Sequence, residues 1–293
     1  MNKKSSASKI KVSSFNDLFG MNDSSNNSGE IKNIPLDELY EFSNHPFKIR
    51  DNEKMDELIA SIKEHGVLVP GIARIRPQGG YEIIAGHSRI HACKTLGIKD
   101  IPMFVRNISD DEAVVVMVDS NIQREDILPS EKARAYKMKY EAIKHQGKKG
   151  NSLVILGEES GDSSKVIQRF IWLANLSDEL LELVDQKFLG FTQGVDISFL
   201  NNEEQEWLLN VLNNSSAKLS IKQSAEIKRL SQDGKLTEAM LWEIISSVSS
   251  KKTRKVTLKA ERLSEFFADN YTEEDIEEII FTLLNKWKQE SEE

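Results

Sequence analysis

The sequence predicts an α+β protein: a small α/β domain, an all-helical region after it, and a small helical module at the C-terminal end. Three observations carry this reading. Between Ile31 and Arg124, strand-like apolar runs alternate with segments of helical period. From Pro129 onward, nearly every apolar pattern is helical. A basic stretch, Lys251 to Lys259, then sets apart an acidic tail with helical spacing. The expected divisions are an arm over 1–30, an α/β domain over 31–126, a helical domain over 127–250 and a C-terminal module over 251–293.

Composition bounds the function classes. The chain has 293 residues, 39% apolar and 29% charged, which allows two or three small domains with real cores. One cysteine excludes an intramolecular disulfide and a multi-cysteine zinc site. Cys93 lies in a helical pattern and reads as a small buried hydrophobe. No apolar run approaches transmembrane length and no signal peptide is visible, so a cytoplasmic protein without a membrane role is expected. Net charge is -8, yet Lys132 to Lys149 holds seven Lys/Arg against one acidic residue. Glu261 to Glu293 holds eleven Asp/Glu against three Lys/Arg. That asymmetry points to a nucleic-acid surface in the middle of the chain. Two ordinary solvated faces would give the same runs.

The elements follow in order. Residues 1–30 are rich in Ser, Asn and Lys and read as a disordered arm. Ile34 to Leu39 reads as a short strand and a helical turn. Glu53 to His65 carries Met55, Leu58, Ile59 and Ile62 at helical spacing, and Gly66 stops it. Val67 to Pro70 is a short exposed-edge or loop segment. Ile72 to Arg76 and Tyr81 to Ala85 are strands joined by the Pro77–Gly80 turn. Gly86 breaks the second strand, Ser88 to Leu96 is a helix, and Gly97 caps it. Ile101 to Arg106 is a strand and Asp111 to Asn121 a helix. Pro129-Ser130-Glu131 opens a helix running to His145. Gln146 to Asn151 is a basic loop, Leu153 to Leu156 a short apolar segment, and Glu158 to Ser164 a turn. Lys165 to Leu176 is a helix with Val166, Phe170 and Leu173 turned inward. Further helices fall at Asp178–Asp185, Glu203–Leu212, Ile221–Gln232 and Thr237–Val248, with Phe188 to Leu200 as a link. Trp172 and Trp207 are expected in the core. Val256 to Leu258 is strand-like, and helices at Glu261–Phe267 and Thr272–Trp287 end the chain. The last shows an apolar stripe suited either to self-association or to packing on the helical domain.

Two stretches carry chemistry. In Ile83-Ile84-Ala85-Gly86-His87-Ser88-Arg89 a strand turns at a glycine into a helix, exposing backbone N–H groups to an anion. Arg89 adds a forked charged donor. Asp119-Ser120-Asn121-Ile122-Gln123-Arg124-Glu125-Asp126 offers Asn121, Gln123 and Arg124 within four residues. Together they suggest one anion or nucleotide site. The structural alternative is a salt-bridged pair tying strand to helix. Further on, a short helix near 153–156, a turn at Gly161 and a helix capped by Ser163 outline a helix-turn-helix near 153–176, although many helical hairpins share that outline. Its candidate DNA contacts are Ser163, Ser164, Lys165, Gln168 and Arg169, with Lys148 and Lys149 adding backbone affinity.

These motifs resemble those of the ParB family of partition proteins. Gly86-His87-Ser88-Arg89 is similar to the family's first phosphate motif, Gly-Glu-Arg-Arg. Asn121 to Glu131 is similar to its second, Glu-Asn-x-Gln-Arg-x-Asp-Leu-Asn-Pro-x-Glu. Gly66 to Pro70 resembles the segment that closes over base and ribose. The likeness runs from about Ile34 to about Leu176; residues 177–287 resemble divergent plasmid and mobile-element members more loosely. The resemblance implies a CTP-gated dimeric clamp on double-stranded DNA with an inverted-repeat site, moved by a ParA-type ATPase. It implies CTP and Mg2+ bound by Gly66, Pro70, Gly86, His87, Ser88, Arg89, Asn121, Gln123, Arg124 and Glu125, with Asn121 toward the metal. His87 and Ser120 stand where the family's motifs have carboxylates, the natural groups for organising magnesium and water, which counts against hydrolysis. Two other readings share these residues: a transcriptional or nucleoid regulator without hydrolysis, and a kinase or nuclease using Glu82, Glu125 or Asp126.

Overall fold

The computed structural model describes residues 29–291 except 125, 148–151, 216–217, 247–262, 264–265 and 269–270. The chain divides into two units, residues 1–247 and 248–293. Residues 1–28 of the expected arm, the loop lysines Lys148 and Lys149, Glu125, and the strand-like Val256 to Leu258 fall outside the described residues, while Glu30, placed in the arm, opens the first strand.

The first unit opens with a mixed α/β part. Its strands are β1 (Glu30–Pro35), β2 (Leu39–Tyr40), β3 (Gly71–Ile75), β4 (Tyr81–Ala85) and β5 (Asp100–Arg106). They form one sheet in the order β1-β5-β3-β4-β2. β3 pairs parallel with β5 and antiparallel with β4, β1 runs antiparallel to β5, and β2 parallel to β4. The helices are α1 (Glu53–His65), α2 (His87–Leu96) and α3 (Asp110–Asp119). Alternation along the strands sends neighbours to opposite faces. Ala73, Ile83, Met103 and Val105 pack with Met55, Ile62, Ile90 and Cys93 of α1 and α2. Ile72, Ile84 and Phe104 pack on the other side with Ala113 and Met117 of α3. Both faces are covered, so both strand registers are specified.

The helix ends explain their positions. Asn52 accepts from the Met55 N–H at the start of α1, and Gly66, at φ +72°, ends it. Ser109 and Glu112 form a reciprocal capping box on α3.

The rest of the unit is helical: α4 (Pro129–His145), α5 (Ser152–Ser160), α6 (Ser164–Leu173), α7 (Asp178–Asp185), α8 (Phe191–Ile197), α9 (Asn202–Ser215), α10 (Ile221–Gln232) and α11 (Glu238–Ser246). Ala135, Tyr136 and Ile143 of α4, Leu156 of α5 and Ile167 of α6 join the core on the α3 side of the sheet. A separate core gathers Leu173 with apolar residues of α7 to α11.

Three expectations are corrected. Leu153 to Leu156 is the first half of a nine-residue helix that runs on to Ser160, so the expected turn over 158–164 shrinks to residues 161–163. Four apolar residues in a row hide helical period, and Gly157 weakened the signal; the glycine is there because an added Cβ would lie 2.9 Å from the Asp162 carbonyl. The link over 188–200 contains α8. Trp172 is 37% exposed and meets Phe199 with the rings tilted at 58° and centroids 5.2 Å apart, rather than entering the core.

In the second unit, α12 (Glu273–Ser291) carries the expected stripe. Ile276, Ile279 and Ile280 are half-buried, while Phe281, Leu283, Leu284 and Trp287 are exposed. Among the described residues no helix is long and apolar enough to cross a membrane.

Candidate functional site

A cleft of about 830 Å³ lies in the first unit, and both chemistry-bearing stretches line it. Gly86, His87, Ser88 and Arg89 come from the start of α2; Ser120, Asn121, Gln123, Arg124 and Asp126 come from the segment between α3 and α4. A third segment, His45 to Asn52, completes the wall with Phe47, Lys48 and Arg50. Val69 is part of the lining; Gly66 and Pro70 are not. Gly66 serves instead as the C-cap of α1, and Pro70 offers its carbonyl to Arg89.

The turn at Gly86 requires glycine. Its φ is +107°, and an added Cβ would sit 3.0 Å from Gly71 Cα. No side chain caps α2 at that end. Its first N–H groups and the positive end of the helix dipole therefore adjoin the cleft.

The two arginines differ. Arg89 donates through Nη1 to the carbonyls of Val69 at 2.5 Å and Pro70 at 2.7 Å, and burial pulls its pKa down. It pins the loop before β3 onto α2. Arg124 is about one-third exposed, and its Nε lies 3.8 Å from Asp126 Oδ1. A pair that long and exposed contributes little, so the guanidinium is free to take an anion. Neither arginine joins strand to helix through a carboxylate.

Asn121 donates its side-chain NH2 to Met117 O at 2.9 Å and Ser120 Oγ at 3.1 Å. Its Oδ1 has no protein donor among the described residues. Asp119, two residues before it in the chain, is bound by the buried Lys139, whose ammonium also meets Glu159 Oε2 at 2.5 Å. It is not in the cleft lining and does not replace the carboxylate missing at Ser120.

His45 is the contributor that sequence reasoning missed. Asn44, at φ +59°, turns the chain before it. The His45 ring lies 4.0 Å from that of His87, centroid to centroid, tilted by 46°. Burial is the main cause that lowers the pKa of both, His87 to about 3. Both are neutral at pH 7, and Nε2 of each is buried without a partner. Arg50 was missed as well. It donates to Asp126 O at 2.5 Å and to Glu131 Oε2 at 2.7 Å, holding the third wall against α4. Only a preference for polar residues in a non-periodic segment could have flagged 44–52 from sequence.

The cleft is electropositive, with Lys48, Arg50, Lys54, Arg89 and Arg124 against Asp126 among its described residues. That balance and the uncapped helix start suit a phosphate. Among the described residues no group of three or more His, Cys, Asp or Glu is placed to hold a metal. Of the other candidate carboxylates, Glu82 is held by Arg74 at 2.5 Å and lies outside the lining, and Glu125 is outside the described residues.

The two helices expected to form a helix-turn-helix are α5 and α6, and the chain turns between them at Gly161, φ +78°. Ser163 caps α6 by accepting from the Val166 N–H, as expected. Asp162 holds the turn onto α4, accepting from Tyr136 OH at 2.5 Å and pairing with Lys132 at 2.7 Å. Ser163 and Lys165 are exposed; Ser164 and Gln168 are half-buried, with Ser164 donating to Leu153 O at 3.2 Å. Arg169 is spoken for. It donates to Thr192 Oγ1 at 3.0 Å and lies over the Phe191 ring at 4.8 Å. The basic run of α4 is also largely consumed: Lys132 pairs with Asp162, Arg134 with Asp178, and Lys137 donates to Asn175.

Residues 20–122 match the ParB N-terminal domain. The nucleoid occlusion protein of Listeria monocytogenes serotype 4a is 28% identical over 236 residues, 80% of this chain and 75% of its own length. The probable chromosome-partitioning protein ParB of Vibrio cholerae serotype O1 is 31% identical over 177 residues, 60% of this chain and 58% of its own. The C-terminally truncated ParB of Caulobacter crescentus has been solved with the centromeric parS site and with CTP-gamma-S. The first covers 68% of this chain and 98% of its own at 22% identity and a TM-score of 0.42. The second covers 58% and 92% at 26% identity and a TM-score of 0.31.

Proposed function

Since this chain is a ParB-family protein through its N-terminal domain, homologous to the chromosome- and plasmid-partitioning ParB proteins, we propose that it is a sequence-specific DNA-binding partition protein working as a CTP-gated dimeric clamp. The observation that carries the reading is the convergence of Gly86–Arg89 and Ser120–Arg124 on one electropositive cleft. The triphosphate lies at the start of α2, held by its free N–H groups, by Ser88 and by Arg124. Gln123 and Asn121 supply amide contacts. Arg89 acts through the Val69–Pro70 loop, which it anchors beside the nucleotide.

Magnesium fits less well than the nucleotide. Asn121 Oδ1 and Asp126 are the described oxygen donors at hand, and neither belongs to a built cation site. Hydrolysis is accordingly not part of the proposal. DNA recognition falls to α6, with Ser163, Ser164, Lys165 and Gln168 toward an inverted-repeat site read by two copies. A ParA-type ATPase would be the partner in segregation.

The test is calorimetric titration with CTP, ATP, GTP and UTP. Selective CTP binding, weakened about tenfold or more by Arg124→Ala, is expected. Absence of any nucleotide binding would refute the clamp. A second reading then moves ahead: a DNA-bound nucleoid occlusion or regulatory protein on the same scaffold, which the 80% coverage by the Listeria relative favours.

A further inference from the structure

Trp172, expected in the core, instead faces solvent on the helix proposed to read DNA. We propose that Trp172 is a specificity-determining contact of α6, meeting the C5-methyl group of a thymine in the major groove. The inference rests on the reading of α6 as the recognition helix and names one base that this helix selects.

The position follows from the helix. Ile167, Phe170 and Leu173 of α6 pack into the two cores. Opposite them stand Lys165, Gln168 and Trp172, at i, i+3 and i+7. Seven residues at 3.6 per turn bring Trp172 to within about 20° of Lys165 around the axis. One face therefore carries an ammonium, an amide and an indole, and the first turn of α6 holds no acidic residue. The indole is braced. Its ring meets Phe199 at 5.2 Å between centroids. Lys228 Nζ lies 4.0 Å from the Phe199 centroid and 3.5 Å from Asp196 Oδ1. A tryptophan supported in this way yet left 37% exposed presents a fixed apolar surface.

The major groove offers that surface one match. Its base edges are hydrogen-bonding groups, and the thymine methyl is the apolar substituent among them. On the same face Lys165 suits guanine O6 and N7, and Gln168 suits adenine N6 and N7. α6 has ten residues and is about 15 Å long, close to the groove's width of about 12 Å, so both ends of the face stay within reach of base edges. Lys165 and Trp172 are about 10 Å apart along the axis, or about three base-pair steps. The expected half-site therefore holds a thymine about three pairs from the base met by Lys165.

Deoxyuridine is the probe, because it differs from thymidine only by the missing methyl. The full-length protein selects its site from a random duplex library, and each thymine of the selected duplex is replaced in turn. Fluorescence anisotropy should find one thymine in each half-site whose replacement weakens binding about fourfold, the factor for one buried methyl. Trp172→Ala should bind the thymine and uracil duplexes equally. Trp172→Phe, the milder change should alanine disturb the fold, should lower the discrimination to about twofold. Trp242→Ala removes an equally exposed tryptophan on α11 and should keep the full fourfold. A selected site that depends on Lys165 but tolerates uracil at every thymine would overturn the Trp172 contact and leave α6 as the reading helix. So would a Trp172→Ala or Trp172→Phe protein that discriminates as the wild type does. No enriched site, or one bound equally well by Lys165→Ala, would overturn both.

Discussion

Glu131→Ala should be among the most destabilising single changes in the first unit. The Glu131 side chain is 4% exposed, in the first turn of α4. Its Oε1 accepts from the Lys48 N–H at 3.0 Å; its Oε2 accepts from the Leu128 N–H at 3.0 Å and from Arg50 Nη2 at 2.7 Å. Truncation orphans two backbone donors and one guanidinium. A fully buried pair broken on one side loses about 3–5 kcal/mol. Arg50 is 29% exposed and keeps its bond to the Asp126 carbonyl, so water recovers part of that. The two orphaned N–H groups add about 1 kcal/mol each, the low end for buried donors near a surface. The loss comes to about 3–4 kcal/mol. Glu131→Gln retains acceptor oxygen and shape but loses the charge, for about half that. Equilibrium urea unfolding followed by circular dichroism reads the difference. With a slope of about 2 kcal/mol per molar, the alanine midpoint falls by about 1.5–2 M. A fall below about 0.5 M, or a glutamine variant no better than alanine, would refute the claim that Glu131 ties the 48–50 segment to α4.

Gly86→Ala forces a Cβ into a backbone at φ +107° and against Gly71; a loss of about 1–3 kcal/mol is expected, with nucleotide affinity falling alongside, checked by thermal melting and calorimetry. Lys165→Ala should weaken specific DNA binding with melting temperature unchanged, whereas Arg169→Ala should lower the melting temperature, since its guanidinium packs on Phe191 and Thr192; fluorescence anisotropy on labelled DNA and a melt separate the two. For Asp162, burial raises the carboxyl pKa but Lys132 and the Tyr136 hydroxyl outweigh it, so the folded value lies below the ordinary one. Its contribution is therefore full above about pH 4 and lost as pH falls further. Acid titration should show Asp162→Asn less stable at neutral pH, with the gap closing toward pH 3.

Local signals made much of this architecture legible. The helices Glu53–His65, Pro129–His145, Asp178–Asp185 and Ile221–Gln232 and the strand Tyr81–Ala85 fall where period, caps and breakers put them. Gly66 stops one helix and Pro129 opens another within a single turn, and such short-range chemistry survives without knowledge of the fold. α5 and α8 were obscured because one opens on an unbroken apolar run and the other is short and contains Gly194. In the cleft, both motif stretches were visible as residue types. The fates of their charges were not. Arg89 spends its donors on loop carbonyls, Asp119 is taken by Lys139, and His45 reaches His87 from a segment with no periodic pattern. Each is a tertiary pairing, set by packing that no local window contains.

The core shared between sheet and helices limits how this chain can be cut or recombined. Ala135, Tyr136, Ile143, Leu156 and Ile167 fill the same interior as Ile72, Ile84 and Phe104, and Phe170 packs against that interior and against the second core as well. A fragment stopping at residue 126 would keep α3 on that side of the sheet but strip the rest of the shared interior, leaving an apolar surface exposed. A fragment starting there would carry the missing cover as an apolar plate without a substrate. Shuffling the cleft onto another helical partner is therefore not a matter of joining ends at a linker. The exchangeable piece reaches at least through α6, and inheritance should treat everything from β1 to Leu173 as a single cassette.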